Sequence, residues 1–182
     1  CGVCDGDNSS CGNTIIPFEV GFTWIYEVVV GSSSGIISMA VESYDTSTGV
    51  AKLVLSGDLS YSGYVPLPGT NGDDPSIYVR ETNGVIERST SSSGPWYTSL
   101  DLVQGSWTNG KLLLAGGNTS YTFTASTTTV TVPAGTFEVF KSEASDNNYS
   151  NNYDIEDWEY IYREKYAPGV GVVQSYYYNY YN

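Results

Sequence analysis

The sequence contains no histidine, and only seven lysines and arginines stand against twenty aspartates and glutamates, for a formal net charge of −13. The first absence removes Ser-His-Asp triads and histidine-ligated metal sites, because that chemistry needs an imidazole beside the nucleophile or on the ion. The second argues against nucleic acid and anionic membrane surfaces as partners, since there is neither a basic run nor a basic balance to neutralise phosphate. Long apolar runs are missing too. "IYEVVV" and "KLLLA" fall far short of the roughly eighteen residues a spanning helix needs, so no transmembrane span is expected. Cysteine is confined to Cys1, Cys4 and Cys11, with no thiol in the rest of the chain. At 182 residues the chain can bury one core without disulfides.

What is present is a polar but weakly charged surface, with seventeen tyrosines and long Ser/Thr/Asn/Gly stretches, a composition suited to an extracellular or cell-surface location. From Phe18 onward, β-branched and aromatic residues alternate with polar ones in short runs separated by turn residues. Residues 22–30, 35–44 and 50–57 read as a three-stranded meander joined by "GSSS" and "DTSTG". Residues 76–82 and 85–90 face each other across Asn83-Gly84, which tolerate the positive φ of a type I′ hairpin. "VPLPGTNGDDP" (65–75) reads as a loop, a solvated connection with a ligand or metal loop as the alternative. The runs "WYTSLDL", "KLLLA", "SYTFTAS", "TTTVTV", "TFEVFKSEAS", "DWEYIYREKY" and "GVGVVQSYYY" repeat the strand signature, and a short helix near Ser99 to Gln104 is the one competing element. The expected fold is all-β: about ten strands in an antiparallel sheet curled as a half-barrel or sandwich. A Cys/Asp/Asn-rich segment (1–14) precedes a single β domain (15–182) that ends in a tyrosine-rich strand.

Candidate chemistry is sparse. Asp154, Glu156, Asp157 and Glu159 could supply paired carboxylates, as in glycosidases, but alternation along a strand puts Asp154 and Glu156 on one face and the other two on the opposite face. The competing reading is a strand whose charges are partly neutralised by Arg163 and Lys165. Trp24, Trp96, Trp107 and Trp158 could form a sugar-stacking platform, or core and cross-strand pairs. Asp5, Asp7 and Asn8, beside the Ser9 and Ser10 hydroxyls, gather hard oxygen ligands suited to calcium, without the bidentate glutamate of an EF-hand loop; a tight Asx-rich turn is the alternative. No other cofactor is implied. Asn8, Asn118 and Asn148 head N-x-[ST] sequons and are candidate glycan acceptors on an exported surface.

Two stretches resemble known families. "CGVCDGDNSSC" (1–11) resembles the C-G-V-C-x-G-D-N-S-x-C motif in the cysteine-rich region of secreted ADAMTS-type metalloproteases and in tandem repeats of large bacterial surface proteins. The resemblance implies oxidised, extracellular cysteines and no protease activity, because H-E-x-x-H is absent. "VTVPAGTFEVFKSE" (130–143) followed by "YAPGVGVVQS" (166–175), with the early "FTWIYEV", is similar to bacterial secreted or lipid-anchored β-proteins of unassigned function. That similarity implies the fold and carries over no catalytic residue. Independently of any family, Pro133 with Gly135 and Pro168 with Gly169 allow tight turns between strands.

Three cysteines leave one over when two pair. In one account Cys1 is a lipid anchor and Cys4 pairs with Cys11; in another, Cys1 or a neighbour pairs with a second chain, or with sequence removed from this one. A zinc site would be incomplete. The aromatic tail, with Tyr176, Tyr177, Tyr178, Tyr180 and Tyr181, is too long and apolar a strand to sit comfortably at a solvent edge, and a strand donated to another copy would bury it. The leading expectation is therefore a non-enzymatic, exported structural subunit that self-associates, into a fibre or surface appendage, with copies of itself as partners. The alternatives are a lipid-anchored surface or periplasmic β-protein binding an apolar ligand or partner, and a carbohydrate-binding module.

Overall fold

The structure, a computed structural model, describes residues 14–30, 33–57, 75–114, 122–146 and 159–180. Among these are eleven strands and no helix. Strands β1 (Thr23–Val30), β2 (Ser33–Asp45), β3 (Val50–Gly57), β4 (Ser76–Thr82), β5 (Val85–Ser89) and β6 (Tyr97–Asp101) form a six-stranded sheet in sequence order. Strands β7 (Ser106–Trp107), β8 (Phe123–Val132), β9 (Gly135–Asp146), β10 (Glu159–Ala167) and β11 (Gly171–Tyr180) form a five-stranded sheet, again in sequence order. Every pairing is antiparallel. The all-β, curled antiparallel architecture expected from the alternation is the one observed.

The alternation of residue types sets the packing. In β3 the pattern puts Ala51, Leu53 and Leu55 inward, and β2 and β4 add Ile37, Met39, Val41, Ile77 and Val79 to the same core. The second sheet meets them with Trp107, Phe123, Ala144, Tyr166 and Val172. Each buried Leu, Ile or Phe side chain contributes about 1.5–3 kcal/mol relative to exposure, so this shared core is what holds the two sheets face to face. Asn83 (φ 51°) and Gly84 (φ 81°) both occupy the left-handed region, giving the tight β4–β5 turn their types permit.

Three sequence expectations need correction. Residues 99–104 are not helical: they finish β6 and enter a turn, because the Asp101 Oδ1 accepts the Val103 and Gln104 amides at 2.9 and 2.8 Å and so caps a turn instead. "SYTFTAS" and "TTTVTV" are not separate strands; the described part is one strand, β8, with no turn residue between the two runs. The described part of "KLLLA" is not an extended strand either: the Lys111 amide donates to the Thr98 carbonyl at 3.0 Å and Leu112 makes a single bridge, after which Leu113 and Leu114 turn inside the core, with side chains holding the Leu112 and Leu113 carbonyls and the Leu113 and Leu114 amides.

Candidate functional site

That buried turn is the chemically densest place in the molecule. Where the backbone turns away from its bridge to β6, it must still pair its N–H and C=O groups once water is excluded. Here the partners are two charged side chains from opposite sheets. On one side the Arg88 Nη1, from β5, donates to the Leu112 and Leu113 carbonyls at 2.7 and 2.9 Å. On the other, the Glu164 carboxylate, from β10, accepts the Leu113 and Leu114 amides at 2.5 and 2.7 Å. Two successive peptide dipoles thus lie aligned between a cation and an anion, each facing the pole it favours. Among the described residues no direct ion pair joins Arg88 and Glu164.

Glu164 has further donors in the Tyr166 hydroxyl at 2.6 Å and the Ser175 hydroxyl at 3.1 Å. Burial pushes its carboxyl above the usual range, against these hydrogen bonds, which pull it back. Burial and the Glu164 charge together hold the Tyr26 and Tyr166 phenols well above their ordinary range. Burial lowers the Arg88 guanidinium, and the Glu164 charge opposes that shift. The four oxygen contacts leave Glu164 engaged with its own chain. The cluster is built as a clamp, a role that suits two strands which must be tied across a core.

A second clamp lies at the start of the described chain. Glu81, on β4, accepts the Ile15 amide at 2.8 and 2.9 Å with its two oxygens and the Ile16 amide at 3.0 Å. Burial raises its carboxyl despite these bonds. The Thr14 carbonyl takes the Gly169 amide at 3.0 Å, from the turn between β10 and β11. Residues 14–16 therefore bridge both sheets, with Ile15 and Ile16 in the core.

Between β1 and β11, the last strands of their sheets, contact runs through side chains. The Trp24 indole donates to the Val170 carbonyl at 2.5 Å and the Tyr26 hydroxyl to the Val172 carbonyl at 3.0 Å. Gly171, at φ 91°, is needed there: a Cβ would come within 3.1 Å of the Trp24 Nε1. Beyond Val172, β11 continues to Tyr180 paired with β10 alone among the described residues, with Arg163 opposite Tyr176 and Tyr162 opposite Tyr177.

The sequence-derived candidates fall unevenly. Trp24 and Trp107 are buried, Trp107 stacked on Phe123 with ring centroids 5.7 Å apart, so neither serves as a sugar platform. Trp96 lies under the Arg80 guanidinium, 4.3 Å from the ring centroid. Arg163 pairs with Glu143 on β9. Tyr176 is on the outer part of β11, and Tyr177, Tyr178 and Tyr180 continue that strand. Cys1, Cys4, Cys11, Asp5, Asp7, Asn8, Asn118, Asn148, Asp154, Glu156, Asp157, Trp158, Tyr181 and nearly all of the 65–75 loop lie outside the described residues. Among the described residues no group of three or more acidic or sulfur ligands is placed to hold a metal ion. Sequence reasoning passed over Arg88 and Glu164; the available signal was their parity, since Arg88 alternates in step with the core residue Ile86 and Glu164 with Tyr166.

No protein-family model, curated protein or solved structure matches this chain.

Proposed function

We propose that this chain is a non-enzymatic, exported structural subunit that self-associates, joining copies through β11. The observation that carries the reading is the character of that strand. It is ten residues long, lies last in its sheet among the described strands, contains no charged residue and no proline, and takes the Trp24 and Tyr26 contacts at its beginning. Natural edge strands are ordinarily blunted by lysine, proline, bulges or brevity. The bulge of β11 sits near its start, where Lys165 and Tyr166 pair with Gln174 and Val172, and leaves the tyrosine-bearing part regular. Such a strand is suited to pairing with another chain by β-augmentation. The most buried carboxylate supports a structural role as well, because its oxygens hold backbone amides and hydroxyls of its own fold.

The test is deletion of residues 176–182, with negative-stain microscopy and sedimentation of the native and truncated proteins beside far-UV circular dichroism. Loss of assemblies with an unchanged β spectrum is the expected result. Assemblies that persist unaltered in the truncated protein refute the role given to β11.

A further inference from the structure

The outward faces of the two sheets are unlike each other. On β1 and β2 the residues facing away from the core include Ile25, Val29 and Ile36, which are 73%, 65% and 56% exposed. The register sets Glu27 directly opposite Ile36, and Ile25 and Val29 are its same-face neighbours along β1, so three apolar side chains flank one carboxylate, with Ser34 and Ser38 on its diagonals. Glu27 is itself exposed, and among the described residues no cation lies within ion-pair distance of it. An acid flanked by apolar side chains gains little from water-exposed neighbours and is placed to meet a cation brought by a partner.

On β9 and β10 the outward face carries the opposite sign. Lys141 and Lys165 are directly paired across the ladder, and Arg163 is paired with Glu143. Glu143 already holds Lys141 at 3.2 Å and also binds Arg163, so two cations share this acid and, among the described residues, Lys165 forms no ion pair with it, in a chain whose net charge is −13. Like charges directly opposite one another destabilise a sheet, and the fold nevertheless places Lys141 across from Lys165. Burial lowers the Lys165 ammonium, and Arg163 and Lys141 push it the same way, so an incoming carboxylate would relieve a crowding of positive charge. Beside this strip lies a small apolar cluster on the same sheet, Val130, Val139 and Ala167 with Phe137 and Val173 packed against it.

We propose that a second copy of this chain seats the outer face of its β9–β10 strands on the outer face of β1–β2, bringing Lys141 and Lys165 against Glu27 where Ile25, Val29 and Ile36 flank it. The occupant is identified by charge complementarity: the cationic strip and the apolar-flanked acid are on different faces of one molecule. The contact is therefore heterologous and propagates from copy to copy unless its rotation closes a ring. It rests on the self-association reading and adds a face-to-face contact to the strand edge.

The experiment compares the full chain with Glu27→Lys, with Lys165→Glu, and with an equimolar mixture of the two variants, by sedimentation velocity over a concentration series, with circular dichroism and thermal melts as folding controls. Glu27→Lys sets a lysine against both Lys141 and Lys165, and Lys165→Glu sets a carboxylate against Glu27 beside the remaining Lys141; the association constant of each variant alone is expected to fall about tenfold or more. The mixture restores opposite charges at alternating contacts, so it regains association that neither variant shows. Lys141→Glu in place of Lys165→Glu gives the same restoration and covers the case in which Lys165→Glu does not fold. An unmodified chain that associates while both variants associate equally well overturns this contact and leaves the β11 reading intact. An unmodified chain that stays monomeric throughout the series overturns both.

Discussion

Replacing Glu164 with leucine removes the anion from the central clamp while keeping the site apolar. The Leu113 and Leu114 amides then lose their acceptor, the Tyr166 hydroxyl loses its partner, and Arg88 remains as a buried charge held only by two carbonyls. Each stranded buried donor costs about 1–3 kcal/mol. Removing one member of a buried charge pair costs about 3–5 kcal/mol. These penalties overlap, since the same collapse or water entry would relieve several of them, so about 5 kcal/mol is the working figure. Domains of this kind have about 5–15 kcal/mol in total, so the variant should be marginally folded or unfolded. Urea titration followed by the fluorescence of the buried Trp24 and Trp107 measures the loss directly. A change in unfolding free energy below about 1 kcal/mol would refute the clamp, because it would mean that no buried group had been left unpaired.

The same carboxyl predicts a pH dependence. Its folded pKa is raised above the usual glutamate value, with burial the largest cause. The folded state therefore holds this proton more tightly than the unfolded chain does. The contribution of that titration is fully present below the unfolded pKa and is lost as pH rises through the folded one. In Glu164→Gln this part is absent, so the stability difference between the native protein and the variant should shift against the native protein as pH rises across that window.

Two further outcomes follow from other hydrogen-bonded carboxylates. Glu81→Ala should release residues 14–16 from β4, lowering stability by about 1–3 kcal/mol and speeding hydrogen exchange at Ile15 and Ile16; unchanged exchange at those amides would show that apolar burial alone holds the segment. Asp45 accepts the Ser47 amide and the Ser47 and Thr48 hydroxyls, which lower its carboxyl from 3.8 to about 2. Its contribution is present above the unfolded value and lost as pH falls through about 2, and a carboxyl titration by NMR that placed it near its ordinary value would remove the turn from the acid-stability argument.

The sequence by itself determined the elements and their faces. Alternation in "VAKLVLSG" placed Ala51, Leu53 and Leu55 on one side, and Asn83-Gly84 set the turn that joins β4 to β5, because side-chain parity and tolerance of positive φ are local properties. Sequence analysis failed where local preference met a long-range partner. "KLLLA" has the composition of a strand, yet after one bridge at Leu112 its Leu113 and Leu114 turn between Arg88 and Glu164, residues 24 to 51 positions away from the groups they bind. Nothing in the three leucines announces that side chains on two other strands will take their peptide groups. The suggested helix at 99–104 gave way for a related reason, since Asp101 spends its carboxylate on a turn after β6 has already paired with β5. Likewise, tyrosine content suggested an assembly strand, but only the sheet order showed that β11 is outermost, with its start covered by Trp24 and Tyr26 from the far end of the chain. Periodicity states which side chains share a face; the closing of two sheets over one core decides which buried charges, edges and surfaces then confront one another.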